Sequence, residues 1–287
     1  MQYQKNHSYE FIDVLKAAAA ILITNSHYAD IWPISSLAFG GLLGDVMFFA
    51  ASGFCLTGIR ERFPAWYLRR IIRIYPTLWI AAIASLVIGF FQIGSMRDFI
   101  RYFIYPTYYH FIASIMLLYI VYYILIRLHR KCSIDLGVMM AAVLCVYLAC
   151  YLLLFDRSYY HIDVVEEYMV RFLFLESMLL GAWLRERAEF GKLQFCLNKR
   201  GQFVLVAGML VLYLASKLLF SNVEELSALQ ILNPLVLYLL LVSIMRLLCS
   251  WETRVEEKEE NAEENSGNQW LQKIVRGGVQ IPVPHNT

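Results

Sequence analysis

The sequence predicts an all-α fold, a polytopic transmembrane helical bundle of about eight spans with its N-terminus cytoplasmic. Three observations predict it. Hydrophobic residues make up 59% of the 287 and charged residues only 17%, with a mean hydropathy of +0.53, whereas soluble domains are about 45–50% apolar. The charges gather in short runs between apolar stretches close to the roughly 20 residues that a helix needs to cross the hydrocarbon core. Lysine and arginine then fall almost entirely on one side when the stretches are threaded alternately.

The expected spans are 11–28, 37–59, 75–93, 108–126, 136–155, 168–184, 203–220 and 226–249. Each must be helical, because lipid offers no partner to a free backbone group. The first, sixth and seventh are the weakest, being short and interrupted by ionisable residues. With the N-terminus inside, the inner segments hold Lys5, then Arg60, Arg62, Arg69, Arg70 and Arg73, then Arg127, Arg130 and Lys131, then Arg185, Arg187, Lys192, Lys199 and Arg200. The outer segments hold only Arg97, Arg101 and Arg157, beside the acidic Asp156, Asp163, Glu166, Glu167, Glu224 and Glu225. Trp66, Trp183 and Trp251 are expected as anchors at the inner interface and Trp32 at the outer one. Residues 96–105, apolar and basic together, are expected to lie along the outer interface.

Residues 1–250 form the expected transmembrane domain. Residues 251–287 read as a charged, largely disordered cytoplasmic tail, acidic over ETRVEEKEENAEENSGN. Asp13 and Lys16 break the first apolar run, so no cleavable signal peptide is expected. Six cysteines form no CxxC pair and no metal-ligand spacing with histidine. A net charge of +2 gives no basis for nucleic-acid binding.

Charge inside hydrocarbon marks function by default, and the spans hold Asp13, Lys16, His27, Asp45, Arg171, Glu176 and Lys217. Asp13 and Lys217, near span ends, read as structural. Lys16 and His27 stand eleven positions apart, three turns plus about 20°, so one face of the first helix carries both, about 16 Å apart along the axis. Thr24 and Asn25 add polarity to the same outer half. Asp45 lies near the outer end of the second helix, which a short loop joins to the first, and this allows it to neighbour His27 and orient the imidazole as half of a general-base pair. Arg69, Arg70 and Arg73, in a cytoplasmic stretch with five arginines in fourteen residues, share a helical face suited to phosphate.

Taken together these residues resemble the acyltransferase 3 family of membrane O-acyltransferases of bacterial surface polysaccharides. EFIDVLKAAAAILITNSHY carries that family's basic residue, ten residues, histidine pattern at Lys16 and His27. GDVMFFAASGFCLTG resembles its G-x-D-x-F-F-x-x-S-G-F, at Gly44, Asp45, Phe48, Phe49, Ser52, Gly53 and Phe54, and YLRRIIRIYP resembles its R-x-x-R block at Arg70 and Arg73. Beyond residue 80 the likeness is mainly hydropathy, with Arg171 and Gly181 in a similar helix.

The resemblance implies transfer of an acyl group, acetyl in the simplest case, from acyl-CoA to a hydroxyl of a surface glycan or glycolipid. His27 is then the catalytic base, oriented by Asp45. Lys16, Arg69, Arg70 and Arg73 handle donor charge, and Ser52, Arg171 and Glu176 line the substrate path. No bound cofactor or metal is expected; acyl-CoA is a co-substrate. The expected partners are membrane lipid, acyl-CoA and a carbohydrate or glycolipid acceptor, and the expected location is the bacterial cytoplasmic membrane. Family members usually continue with about two more helices, so a C-terminally truncated member is expected. The alternative reading is a transporter or flippase of lipid-linked sugar, or an inactive truncated member.

Overall fold

The computed structural model describes residues 9–28, 30–34, 37–107, 109–164, 166–189 and 198–251. Lys5, Lys192 and the expected tail 252–287 lie outside them. The described residues are helical throughout, with no strand. The helices are α1 (Glu10–Ser26), α2 (Gly41–Leu56), α3 (Phe63–Ile88), the short α4 (Met96–Phe99) continuing as a wider turn through Ile104, α5 (His110–Cys132), α6 (Leu136–Leu153), α7 (Tyr168–Glu189), α8 (Lys199–Asn222) and α9 (Leu232–Trp251). Among the described residues, five helices are long and apolar enough to cross a membrane: α3, α5, α6, α8 over Arg200–Asn222, and α9. The others fall short for visible reasons. α1 and α2 have 17 and 16 residues, and α7 carries Arg171, Glu176 and Arg185.

α2 is the centre of the bundle, packed between α1 and α7. Glycine makes this possible. A Cβ on Gly53 would stand 1.9 Å from the Met178 carbonyl oxygen, and one on Gly181 would stand 2.0 Å from that of Ala50. α2 and α7 therefore touch backbone to backbone, the close approach that small residues permit between membrane helices. Gly44 does the same toward α1, where Ala19 O and Ile23 would meet an added Cβ at 2.8 Å. Gly40, at φ +100, opens α2 in a conformation that glycine adopts without strain.

The matched levels fix helix sense. Phe49 stacks on Phe174 at 4.3 Å and Gly53 meets Met178, so α2 and α7 run parallel. Phe48 meets Phe111 while Tyr122 donates to Gly53 O, so α5 runs with them. Phe11 meets Phe54 while Ser26 meets Gly41, so α1 runs against them. α3 opposes α5, with Phe63 beside Tyr123 and Tyr67 donating to Met116 O. α8 and α9 form an antiparallel pair, tied by Ser250 to Gln202 and Ser216 to Asn233.

Two expectations are corrected. The helical arginine stretch is not separate from the span expected to start at residue 75; it is the first half of α3, one continuous helix through Pro76. Pro64 at its first turn suits a helix start, and an internal proline is tolerated in membrane helices, where neighbouring groups satisfy the freed carbonyl. Trp66 is not an interface anchor. It is 3% exposed, packed on Tyr119 and Tyr123. Residues 96–104 turn back on α3, whose Tyr75 hydroxyl and Trp79 indole donate to Ile104 O and Phe103 O.

Candidate functional site

His27 ends α1. Its backbone N–H caps the helix on Thr24 O, and its exposed imidazole has no hydrogen-bond partner among the described residues. Lys16 lies three turns earlier, 3.2 Å from Asp13. Asn25 serves the α1–α2 connection instead, donating to Leu37 O and Phe39 O and accepting from the Trp32 indole. Asp13 is thus the partner of Lys16, and Lys217 pairs with Asp163 at 2.6 Å.

The short loop does not bring Asp45 against His27. Ser26 of α1 meets Gly41, so His27 stands level with the α2 N-terminus, while Asp45 lies about one turn deeper, where Gly44 meets Ala19 and Ile23. Asp45, 7% exposed, shares the face of Phe49 and Ser52, toward α5. No hydrogen bond joins it to His27.

Another group of residues does converge. The Tyr119 hydroxyl on α5 lies against Ser52, and Arg70 and Arg73 on α3 act on it electrostatically. Arg70 sits over the Trp66 ring at 5.6 Å, with its Nε buried and unpartnered, and Cys55 completes the cluster. Arg69 is engaged by Glu61. The flank of α1 that carries Lys16 and His27 faces this same side. Viewed from the α2 N-terminus, side chains advance clockwise by about 100° per residue, so Cys55 and Ser52 follow the Gly44 contact line by about 20° and 80°. α1 runs the opposite way, and Lys16 and His27 lie about 80–100° past its own contact line at Leu15 and Ala19, which turns them to that side. One flank of the α1–α2 pair therefore carries, from the α2 C-terminus upward, Arg70 with Ser52 and Cys55, then Lys16, then His27.

The chemistry of that series is directional. Guanidinium groups bind phosphate, an ammonium stabilises developing negative charge, and an imidazole without a protein partner is free to exchange a proton. Comparison with known sequences completes the argument, because the profile of the acyltransferase 3 family, described as an acyltransferase domain, matches residues 9–275. The chain belongs to this family. Neither a curated protein nor a solved structure matches it. As a family member it is a membrane acyltransferase in general terms.

The remaining expected residues lie elsewhere. Arg171, one turn before Phe174, has its Nε buried without a partner. Glu176 is buried on the side of α7 away from the Phe174–Phe49 contact; its Oε1 and the Tyr238 hydroxyl on α9 each lack a hydrogen-bond partner. Glu176 thus stands apart from the face of Ser52 and Phe49. Sequence reasoning missed Tyr119 and Cys55, since a tyrosine and a cysteine in apolar spans carry no signal of their own. It also counted Arg127 and Arg130 only as topology.

Proposed function

We propose that this acyltransferase moves an acyl group, acetyl in the simplest case, from acyl-CoA to a hydroxyl of a carbohydrate or glycolipid. The reading is carried by one observation: the Arg70/Arg73 cluster, Lys16 and His27 follow one another along a single flank of α1 and α2. In this reading the N-terminus is cytoplasmic, the donor phosphates meet Arg70 and Arg73, and the acceptor meets His27. His27 takes the proton of the acceptor hydroxyl as its oxygen attacks the thioester carbonyl. The C–S bond breaks, and the CoA sulfur leaves with the proton returned from His27. Lys16, about 16 Å below His27 along α1, and Arg70 beyond it meet the charges of the donor away from the reacting carbonyl. A site closed off from water suits this transfer, since hydrolysis of the thioester would compete.

Membranes containing the full chain, supplied with acetyl-CoA labelled in the acetyl group, are expected to transfer label to a lipid- or glycan-linked product. Labelled acetate alone would overturn the reading. Arg70→Ala is expected to weaken acetyl-CoA binding about tenfold, the loss of one charge-assisted contact. Arg69→Ala has a smaller effect, because Glu61 already engages that guanidinium. Binding by calorimetry in nanodiscs separates the two.

A further inference from the structure

Residues 57–62 join α2 to α3, and three side chains of α5 grip this connection through its backbone. Arg130 donates from its two terminal nitrogens to Ile59 O and Thr57 O. Arg127 Nη2 donates to Glu61 O at 2.9 Å, and the Tyr123 hydroxyl donates to the same oxygen at 2.9 Å. Arg127 Nε in turn donates to the Tyr123 hydroxyl at 3.1 Å. His129, between the two arginines, bonds Glu186 of α7 at 2.7 Å and so fastens the end of α5 to the central bundle.

We propose that Arg130, with Arg127 and Tyr123, is a positioning residue that holds the start of α3 and thereby sets where Arg70 and Arg73 stand relative to α2. Three features support this. The carbonyls at Thr57 and Ile59 lie just past the C-terminus of α2, where carbonyls have no intrahelical partner and a cation is favoured. The grip takes alternate carbonyls, 57, 59 and 61, so it fixes the path of the connection whatever its side chains. α3 is seated on α5 mainly at its start, where Phe63, Trp66 and Tyr67 meet that helix; further along, Tyr75 and Trp79 bond only to residues 103–104, and few of its residues are buried. A guanidinium is suited to the task because its planar fork holds two N–H groups at a fixed spacing toward two acceptors, whereas an ammonium is a compact point charge on a flexible stem.

The inference rests on the donor reading above, and two measurements on the purified full chain keep their failures apart. The first is limited trypsin digestion after Arg60 and Arg62, which the grip holds in place. The second is acetyl-CoA affinity in nanodiscs. Arg130→Ala is expected to speed cleavage and to weaken acetyl-CoA binding, each by about tenfold, the loss of a hydrogen bond from a charged group. Arg130→Lys is expected to restore part of both, and Arg127→Ala to give a smaller change of the same kind. The thermal midpoint of Arg130→Lys serves as the check on folding. Unchanged cleavage in a folded Arg130 variant overturns the grip. Faster cleavage with unchanged acetyl-CoA affinity overturns the positioning role. A wild-type protein with no acetyl-CoA affinity overturns the donor reading, and the digestion still decides the grip.

Discussion

His27→Ala is expected to lower acyl transfer by about 10²–10⁴-fold, the range lost with a general base, while protein level and acetyl-CoA affinity stay unchanged. The imidazole is exposed and has no hydrogen-bond partner among the described residues, so its removal leaves none of their buried groups unsatisfied and no cavity. Catalysis and stability therefore separate cleanly at this position. The rate of label transfer in membranes, read beside a donor-binding isotherm, checks both halves. Undiminished transfer at normal protein level would remove His27 from the mechanism. Asp45→Asn gives the companion measurement. Since Asp45 faces α5 and makes no bond to His27, the variant is expected to keep the pH dependence of the wild type. A shifted pH profile would restore the pairing that the short loop suggested.

Gly53→Val is expected to destabilise the fold by about 3 kcal/mol, at the upper end for overpacking. The clash is with the Met178 backbone at 1.9 Å, not with the end of a side chain that can swing aside. Two helices would have to separate along their length, which also opens the stack of Phe49 on Phe174. Gly208→Ala on α8, where nothing lies within 4 Å, is the control and is expected to be neutral or slightly stabilising. Thermal unfolding followed by fluorescence-detected size exclusion measures both. Equal midpoints for the two variants would show that α2 and α7 do not meet backbone to backbone.

The elements were legible in the sequence wherever apolar length decides them: α6 and α8 lie near the expected limits, while α5 runs six residues past its expected end and α9 starts six residues after its expected start, behind a short 3₁₀ turn over Glu224–Leu229. α3 was half read. Its arginines and Pro76 looked like a boundary, since charge and proline usually end a span, whereas this helix carries both in its interior. At the site, Lys16 and His27 were legible because eleven residues is close to a whole number of turns. Asp45 was not, since a short loop does not say at which level the two helices first meet, and here Ser26 meets Gly41, a turn above Asp45. Tyr119 and Arg130 were beyond reach for another reason. Their partners are Ser52 and two backbone carbonyls more than sixty residues away, and a carbonyl leaves no trace in the residue type that bears it.

The backbone contacts of α2 have a mechanical meaning. A helix pinned to one neighbour by Gly53 and Gly181 and to another by Gly44 can neither slide nor roll without a steric collision at main-chain atoms. α1, α2 and α7 thus act as a rigid block, and the parts free to be displaced are those seated without such locks, α3 foremost. If admitting a long donor requires the protein to open, the hinge of least resistance is the six-residue strap between α2 and α3, and the latch on it is the end of α5.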